Sequence, residues 1–229
     1  MQLFVYGGLL KGMTLSPFIE GSEYLGPAFI KAELYFLGQF PGIIEGNGIV
    51  FGELYEVSEE MIPKVDKIEH YHVDDPGHSS YIRKELEVTC LPNKEKLKAD
   101  AYFYNRSVEG QEHIPYGDYR RFINEYDTQK FWVINSILGG KTNGFFHSLE
   151  QNIKPKKAMI ETINGMKANG VHGNKKLEVK VVELQKEQIQ ELDKISNVPD
   201  KYFRVSIPFI DENGDTQMAL TYYPNFKTL

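Results

Sequence analysis

Two short segments of the chain combine residue types and spacing that could do chemistry. At Tyr6-Gly7-Gly8-Leu9 an apolar strand, Leu3-Phe4-Val5, runs into two glycines. Glycine there lets the backbone take positive φ and approach a ligand closely. Successive amides in such a turn can form an anion-binding nest. An ordinary turn uses the same two residues. The segment is not a phosphate loop, because no Gly-Lys-Ser/Thr follows at the required spacing. The second segment ends in Glu69, directly after an apolar helical stripe of Met61, Ile62, Val65 and Ile68. A helix C-terminus disfavours a carboxylate, because the dipole is negative there. That raises the carboxyl pKa toward the range of a usable general base. On position alone, an exposed surface glutamate is the favoured reading of Glu69.

Other polar clusters have simpler readings. His70, His72 and His78, with Asp74 and Asp75 between them, could suggest a metal. Pro76 and Gly77 make this segment a loop, and no metal is assigned to it. Asp66 with Glu69 could suggest the carboxylate pair of glycoside hydrolysis. Cys90 lies in the alternating run Leu86-Glu87-Val88-Thr89-Cys90-Leu91 and reads as a small apolar strand residue. As the single cysteine it forms no internal disulfide and supplies no Cys-based zinc or iron–sulfur centre. The basic run Lys154-Pro155-Lys156-Lys157 reads as a solvated turn.

The elements that must hold these residues occur twice. The stretch Glu53–Ile68 aligns with Lys180–Ile195, 127 positions later, and six of the sixteen positions are identical: Glu56, Glu60, Ile62, Asp66, Lys67 and Ile68. Both copies read as a strand followed by a short helix, with Ile189, Leu192 and Ile195 forming the second stripe. Ser58 is a candidate N-cap for the first helix, and Glu59 and Glu60 suit its positive end. Tyr81-Ile82-Arg83 has its counterpart in Tyr202-Phe203-Arg204. Phe4–Gly12 parallels Trp132–Gly140. Three regions in the same order predict two tandem copies of one α+β domain, 1–127 and 128–229. The first copy is expected to contain strands 2–6, 28–37, 49–57, 81–91 and 98–104, most of them short, and a helix over 58–68. An amphipathic helix near Tyr116–Tyr126 leads to the junction. Asp66 persists as Asp193, which favours a helix-supporting role. The suspected chemical positions do not persist. Ser196 stands in place of Glu69, and Asn135 and Ser136 stand in place of Gly7 and Gly8. One active and one degenerate copy would look like this.

Composition narrows the class further. The 229 residues include 26 Lys and Arg against 32 Asp and Glu, a net charge of −6, which argues against a general nucleic-acid binder. A 41% hydrophobic and 25% charged content is that of a globular chain. No apolar stretch approaches the ~18 residues of a membrane span. The N-terminus lacks the basic and apolar regions of a signal peptide, and a cytoplasmic setting is expected.

Taken as a set, Val5-Tyr6-Gly7-Gly8-Leu9-Leu10-Lys11-Gly12, Val65-Asp66-Lys67-Ile68-Glu69 and Tyr81-Ile82-Arg83 resemble the gamma-glutamylcyclotransferase superfamily. The likeness is greatest to its AIG2-like, gamma-glutamylamine cyclotransferase branch, and it covers residues 2–105. The tandem arrangement resembles that of the two-copy YkqA-like proteins. The resemblance implies that each domain is a small mixed β-barrel flanked by helices. It implies a small γ-glutamyl substrate whose α-amine attacks its own γ-amide carbon, giving 5-oxoproline and a free amine. In this reading Glu69 is the general acid/base, Tyr6, Gly7, Gly8 and Leu9 bind substrate, and no metal or other cofactor is needed. The chain departs from the family at Gly8, where Ser or Thr is usual, and has Val65 where Leu is usual. A non-catalytic module that binds γ-glutamyl or related amino-acid derivatives is the alternative. The leaving amine and the oligomeric state are not legible.

Overall fold

The computed structural model describes residues 1–91, 94–127, 130–134, 155–164 and 173–224. Contacts divide the chain into two compact units, Met1–Tyr119 with Ile163–Asn174, and Arg120–Thr162 with Lys175–Leu229. The division falls at the start of α2 (Tyr119–Asp127) rather than after it.

The first unit contains β1 (Gln2–Val5), β2 (Glu23–Phe36), β3 (Pro41–Glu56), α1 (Ile62–Ile68), β4 (Tyr81–Cys90), β5 (Lys96–Tyr104) and the two-residue β6 (Glu112–His113). Its sheet has the order β3-β1-β5-β4-β2-β6, and β2 also pairs with β3, so five of the strands close on themselves. β1 lies antiparallel to β3 and parallel to β5. β2 and β3 are not the short strands expected; they run for 14 and 16 residues. Register shifts between Tyr24 and Gly26 and between Lys31 and Glu33 interrupt their pairing. Such irregularities bend and twist a strand, which lets so long a hairpin curl into a closed wall. Leu3, Val5, Leu10, Tyr24, Val57, Val65 and Tyr102 are buried in one cluster on which α1 packs.

α1 begins at Ile62, four residues later than expected, and Ser58 does not cap it. Pro63 occupies the first turn, where its missing N–H costs no hydrogen bond. Residues 59–61 form the preceding turn, with the Met61 N–H donating to the Ser58 carbonyl over 3.0 Å.

The second unit contains β7 (Lys130–Ile134), β8 (Lys156–Asn164), β9 (Gly173–Gln185), α3 (Lys186–Ile195), β10 (Tyr202–Ile210) and β11 (Thr216–Pro224). Its strands form a closed barrel in the order β10-β11-β7-β9-β8. The first unit, read from β4, runs β4-β5-β1-β3-β2. The two orders match strand for strand, including the parallel pair, β1 with β5 and β7 with β11. The internal similarity of the sequence is therefore a similarity of topology.

One polar cluster recurs in both units. Asp66 on α1 accepts from Arg83 Nε at 3.0 Å and from the Tyr102 hydroxyl at 2.6 Å, and Arg83 Nη1 also reaches Asp100 at 3.0 Å. In the second unit Asp193 pairs with Arg204 Nη1 at 3.0 Å and accepts from the Tyr222 hydroxyl at 2.8 Å. Asp66 is thus a structural anchor and not half of a glycosidase pair. The helix ends match as well. Glu69 has φ −81° and ψ −1°, and Ser196 has φ −77° and ψ −7°. His70 and Asn197 follow, both at φ 51°. The Tyr71 and Val198 amides return to the carbonyls of Asp66 and Asp193. Asn135 and Ser136 lie outside the described residues. Among those described, no helix is long and apolar enough to cross a membrane.

Replacing Asp66 by Ala would leave the Tyr102 hydroxyl without its acceptor and the Arg83 guanidinium with Asp100 alone, in a largely buried site. Breaking such a pair from one side costs about 3–5 kcal/mol. Arg83 keeps 22% of its side chain exposed, so the expected loss lies near the lower end. Urea unfolding measures it, and a loss below about 1 kcal/mol would show that the cluster is not an anchor.

Candidate active site

α1 delivers Glu69, and β1 delivers the glycine segment, to one cavity of about 1150 Å³ in the first unit. Tyr6, Gly7, Gly8, Leu9 and Glu69 all line it. Glu69 is the sole carboxylate among the described lining residues. The five residues singled out in the sequence therefore meet in space, although 60 positions separate Leu9 from Glu69; the closure of the barrel brings them together.

The glycine segment is built by close packing. A Cβ on Gly7 would lie 2.6 Å from Pro41 Cγ, and one on Gly8 would lie 2.9 Å from Leu15 Cδ1. Neither glycine has positive φ, contrary to the expectation from sequence. They are needed because the Pro41 ring and the Leu15 side chain occupy the space that a side chain would take. The Gly7 carbonyl accepts from the Leu10 N–H at 3.0 Å, and the Gly8 carbonyl accepts from the Leu15 N–H at 2.8 Å. The Lys11 N–H donates to the buried Glu53 carboxylate at 2.8 Å, which fixes the far end of the turn. Among the described residues, the N–H groups of Gly7, Gly8 and Leu9 have no protein acceptor. Three consecutive donors beside a cavity suit an anion or a developing oxyanion.

Glu69 is half-buried at the cavity wall. Burial pushes its carboxyl pKa up to about 7. The shift has the direction expected from sequence, but its cause is removal from water and not the helix dipole. Tyr6 and Tyr81 lie close enough to Glu69 to feel its charge, and burial holds both phenols well above their ordinary range. Their hydroxyls are already engaged. Tyr6 donates to the Tyr102 carbonyl at 2.6 Å, and Tyr81 donates to the Pro41 carbonyl at 2.9 Å. They shape the site around Glu69, whose carboxyl is pushed into the neutral range.

Sequence reasoning missed several lining residues. Tyr81 was visible only as part of the Tyr-x-Arg strand. Tyr104, the Leu37–Pro41 hairpin and the Leu15–Phe18 segment carried no local signal, because they reach the cavity through sheet closure and the 3-10 turn Ser16–Ile19. Of the remaining candidates, His70 also lines the cavity, and the others lie elsewhere or stay inert. Cys90 is fully buried, and burial pushes its thiol up to about 12, away from nucleophilic thiolate chemistry. His78 Nδ1 pairs with Asp75 at 2.6 Å on an exposed loop.

The raised pKa carries a stability consequence whose sign is fixed. Protonated Glu69 is the form that the fold favours. Its contribution to stability is fully present below the unfolded value near 4.5 and is lost as pH rises to about 7. Glu69→Gln keeps the shape without the titration. The melting temperature of the variant relative to the parent should therefore rise between pH 5 and pH 8. A difference independent of pH would contradict the buried, raised carboxyl.

Residues 3–121 match the family model for gamma-glutamyl cyclotransferase, AIG2-like. The gamma-glutamylcyclotransferase family protein YtfP of Escherichia coli K12 is 29% identical over 120 residues, 52% of this chain and 96% of that protein. The gamma-L-glutamyl-butirosin B gamma-glutamyl cyclotransferase of Niallia circulans is 32% identical over 107 residues, 46% of this chain and 67% of that protein. The crystal structure of YkqA from Bacillus subtilis is similar in fold, with a TM-score of 0.71 and 18% identity over 98% of this chain and 83% of that one. With more than half of its length matched by the family model, the chain belongs to the gamma-glutamyl cyclotransferase, AIG2-like family.

Proposed function

We propose that the first unit is a gamma-glutamylcyclotransferase that releases 5-oxoproline and a free amine, and that Glu69 moves the protons. The observation that carries this reading is a carboxyl with a pKa of about 7 on the same cavity as three consecutive backbone donors. The γ-glutamyl amine is protonated near neutral pH, and a base must take a proton before it can attack. Ionised Glu69 takes it. The nitrogen lone pair then forms a bond to the γ-amide carbon, and negative charge develops on the amide oxygen. The Gly7–Leu9 amides supply donors for that oxygen or for the substrate α-carboxylate. As the C–N bond breaks, Glu69 returns its proton to the leaving nitrogen, the ring nitrogen gives up its second proton to the released amine through solvent, and the carboxylate is restored. Ring closure is intramolecular, so holding the folded rotamer supplies much of the rate advantage.

The second unit is proposed as a degenerate copy. Ser196 occupies the position of Glu69, is buried, and among the described residues its Oγ has no hydrogen-bond partner. A serine without a basic partner does not transfer protons at neutral pH.

The direct test follows 5-oxoproline release from a panel of γ-glutamyl amides. Glu69→Gln should lower turnover on the order of 10²–10⁴-fold. In the parent protein, turnover should rise with pH through about 7 as Glu69 ionises, and the variant should lack that limb. Near-normal turnover in Glu69→Gln would end the assignment. Tight binding of γ-glutamyl amides without turnover would favour the binding-module reading. Activity that survives in Glu69→Gln and vanishes on changing Ser196 would show that the second unit is not degenerate.

A further inference from the structure

We infer that the leaving amine bears a large apolar body together with a carboxylate, as in an amino acid with an aromatic side chain, and that Phe18, Phe40, Lys64 and Lys67 select it. This rests on the proposed cyclotransferase reading and extends it to the half of the substrate that the chemistry leaves open. A cavity of about 1150 Å³ exceeds the common range of about 300–1,000 Å³ for small-molecule sites, so a γ-glutamyl group alone leaves much of it unfilled.

The unfilled part has a defined chemistry. Phe18 and Phe40 line the cavity while 42% and 49% exposed. Large aromatic side chains left in water at a cavity are surface that an apolar ligand can cover. Both are set by the contacts that build the glycine segment. Phe18 lies in the 3-10 turn that follows Leu15, whose N–H holds the Gly8 carbonyl. Phe40 precedes Pro41, whose ring packs on Gly7, and the Phe40 carbonyl accepts from the Leu37 N–H across a tight hairpin. The aromatic residues are therefore held in fixed relation to the reacting centre.

Charge narrows the class. Lys64 and Lys67, exposed on α1, line the same cavity, and among the described residues neither forms an ion pair. Lys84, Lys96 and Lys98, by contrast, each pair with a glutamate. Among the described lining residues Glu69 is the lone acidic one, and the proposed function assigns it to proton transfer. A cationic leaving amine would meet two like charges and no spare carboxylate. An anionic one would meet two available ammonium groups.

The test compares four amides: γ-glutamyl-phenylalanine, γ-glutamyl-alanine, γ-glutamyl-phenethylamide, which lacks the second carboxylate, and the γ-glutamyl amide of 1,4-diaminobutane, which is cationic. The kcat/KM for the phenylalanine compound should exceed that for the alanine compound by roughly tenfold or more. It should exceed that for the phenethylamide by roughly fivefold at low salt, with the ratio shrinking as salt is added. The diaminobutane amide should be poorest. Phe18→Ala/Phe40→Ala should collapse the first ratio, and Lys64→Ala/Lys67→Ala should collapse the second. Calorimetric binding of the same four compounds to Glu69→Gln reads the preference without turnover. The same order in binding supports the inference even if no amide is cleaved, in which case the cyclotransferase reading alone falls. Cleavage at uniform rates, or preference for the cationic amide, overturns the inference and leaves the cyclotransferase reading standing.

Discussion

The site depends on one ionic cluster. Asp66 is the point at which α1 is tied to the barrel, through Arg83 on β4 and the Tyr102 hydroxyl on β5. Glu69 follows Asp66 by less than one helical turn, so the tie that holds Asp66 also sets where Glu69 emerges. The carbonyl of Tyr102 receives the Tyr6 hydroxyl, which pins the end of β1 where the glycines begin. A single tyrosine thus joins the two halves of the cavity wall. The cluster is a costly way to attach a helix, because buried charge must be repaid by good geometry. What it supplies is a fixed relation between a carboxyl and a set of backbone donors.

Proton transfer demands the opposite of what stability demands. A surface carboxyl is ionised throughout the neutral range and holds a returned proton poorly. Half-burying Glu69 raises its pKa to about 7, where it can both take and return a proton. The fold bears the cost of that placement, since the ionised form is disfavoured by the very surroundings that make it useful. The helix dipole, an attractive explanation from position alone, is not what raises it; burial is. α1 has only seven residues, and Lys67 sits in its last turn.

The parts of this arrangement differ in how far sequence discloses them. Asp66, Glu69, Arg83 and the two glycines were legible because the repeat separates what a scaffold keeps from what it discards. Asp193 and Arg204 persist with their partners, while Ser196 replaces the carboxyl. That the two units share one strand order was implicit in the repeat, although the order itself and the lengths of β2 and β3 were not, because bulges allow curvature that alternation does not reveal. The reason for the glycines was misread. A local rule assigns glycine to positive φ, whereas Gly7 and Gly8 yield room to Pro41 and Leu15, residues brought near by tertiary packing. The start of α1 was misplaced for a similar reason: apolar spacing extends back to Met61, but the first helical turn is built around Pro63.

The second unit presents the same scaffold without the carboxyl. The backbone at Ser196 and Asn197 reproduces that at Glu69 and His70, down to the left-handed residue and the returning amide. The geometry that presents a side chain at this point therefore does not require the carboxyl. Replacing Glu by Ser removes an ionisable group from a buried position, and with it the penalty that grows as pH rises toward neutrality. Ser196 still leaves a buried hydroxyl without a partner among the described residues, a smaller cost than a buried carboxylate. A fold that tolerates either residue at one fixed helix end has separated its architecture from its chemistry. Under the proposed function, the carboxyl in the first unit is one that the chemistry requires and stability opposes.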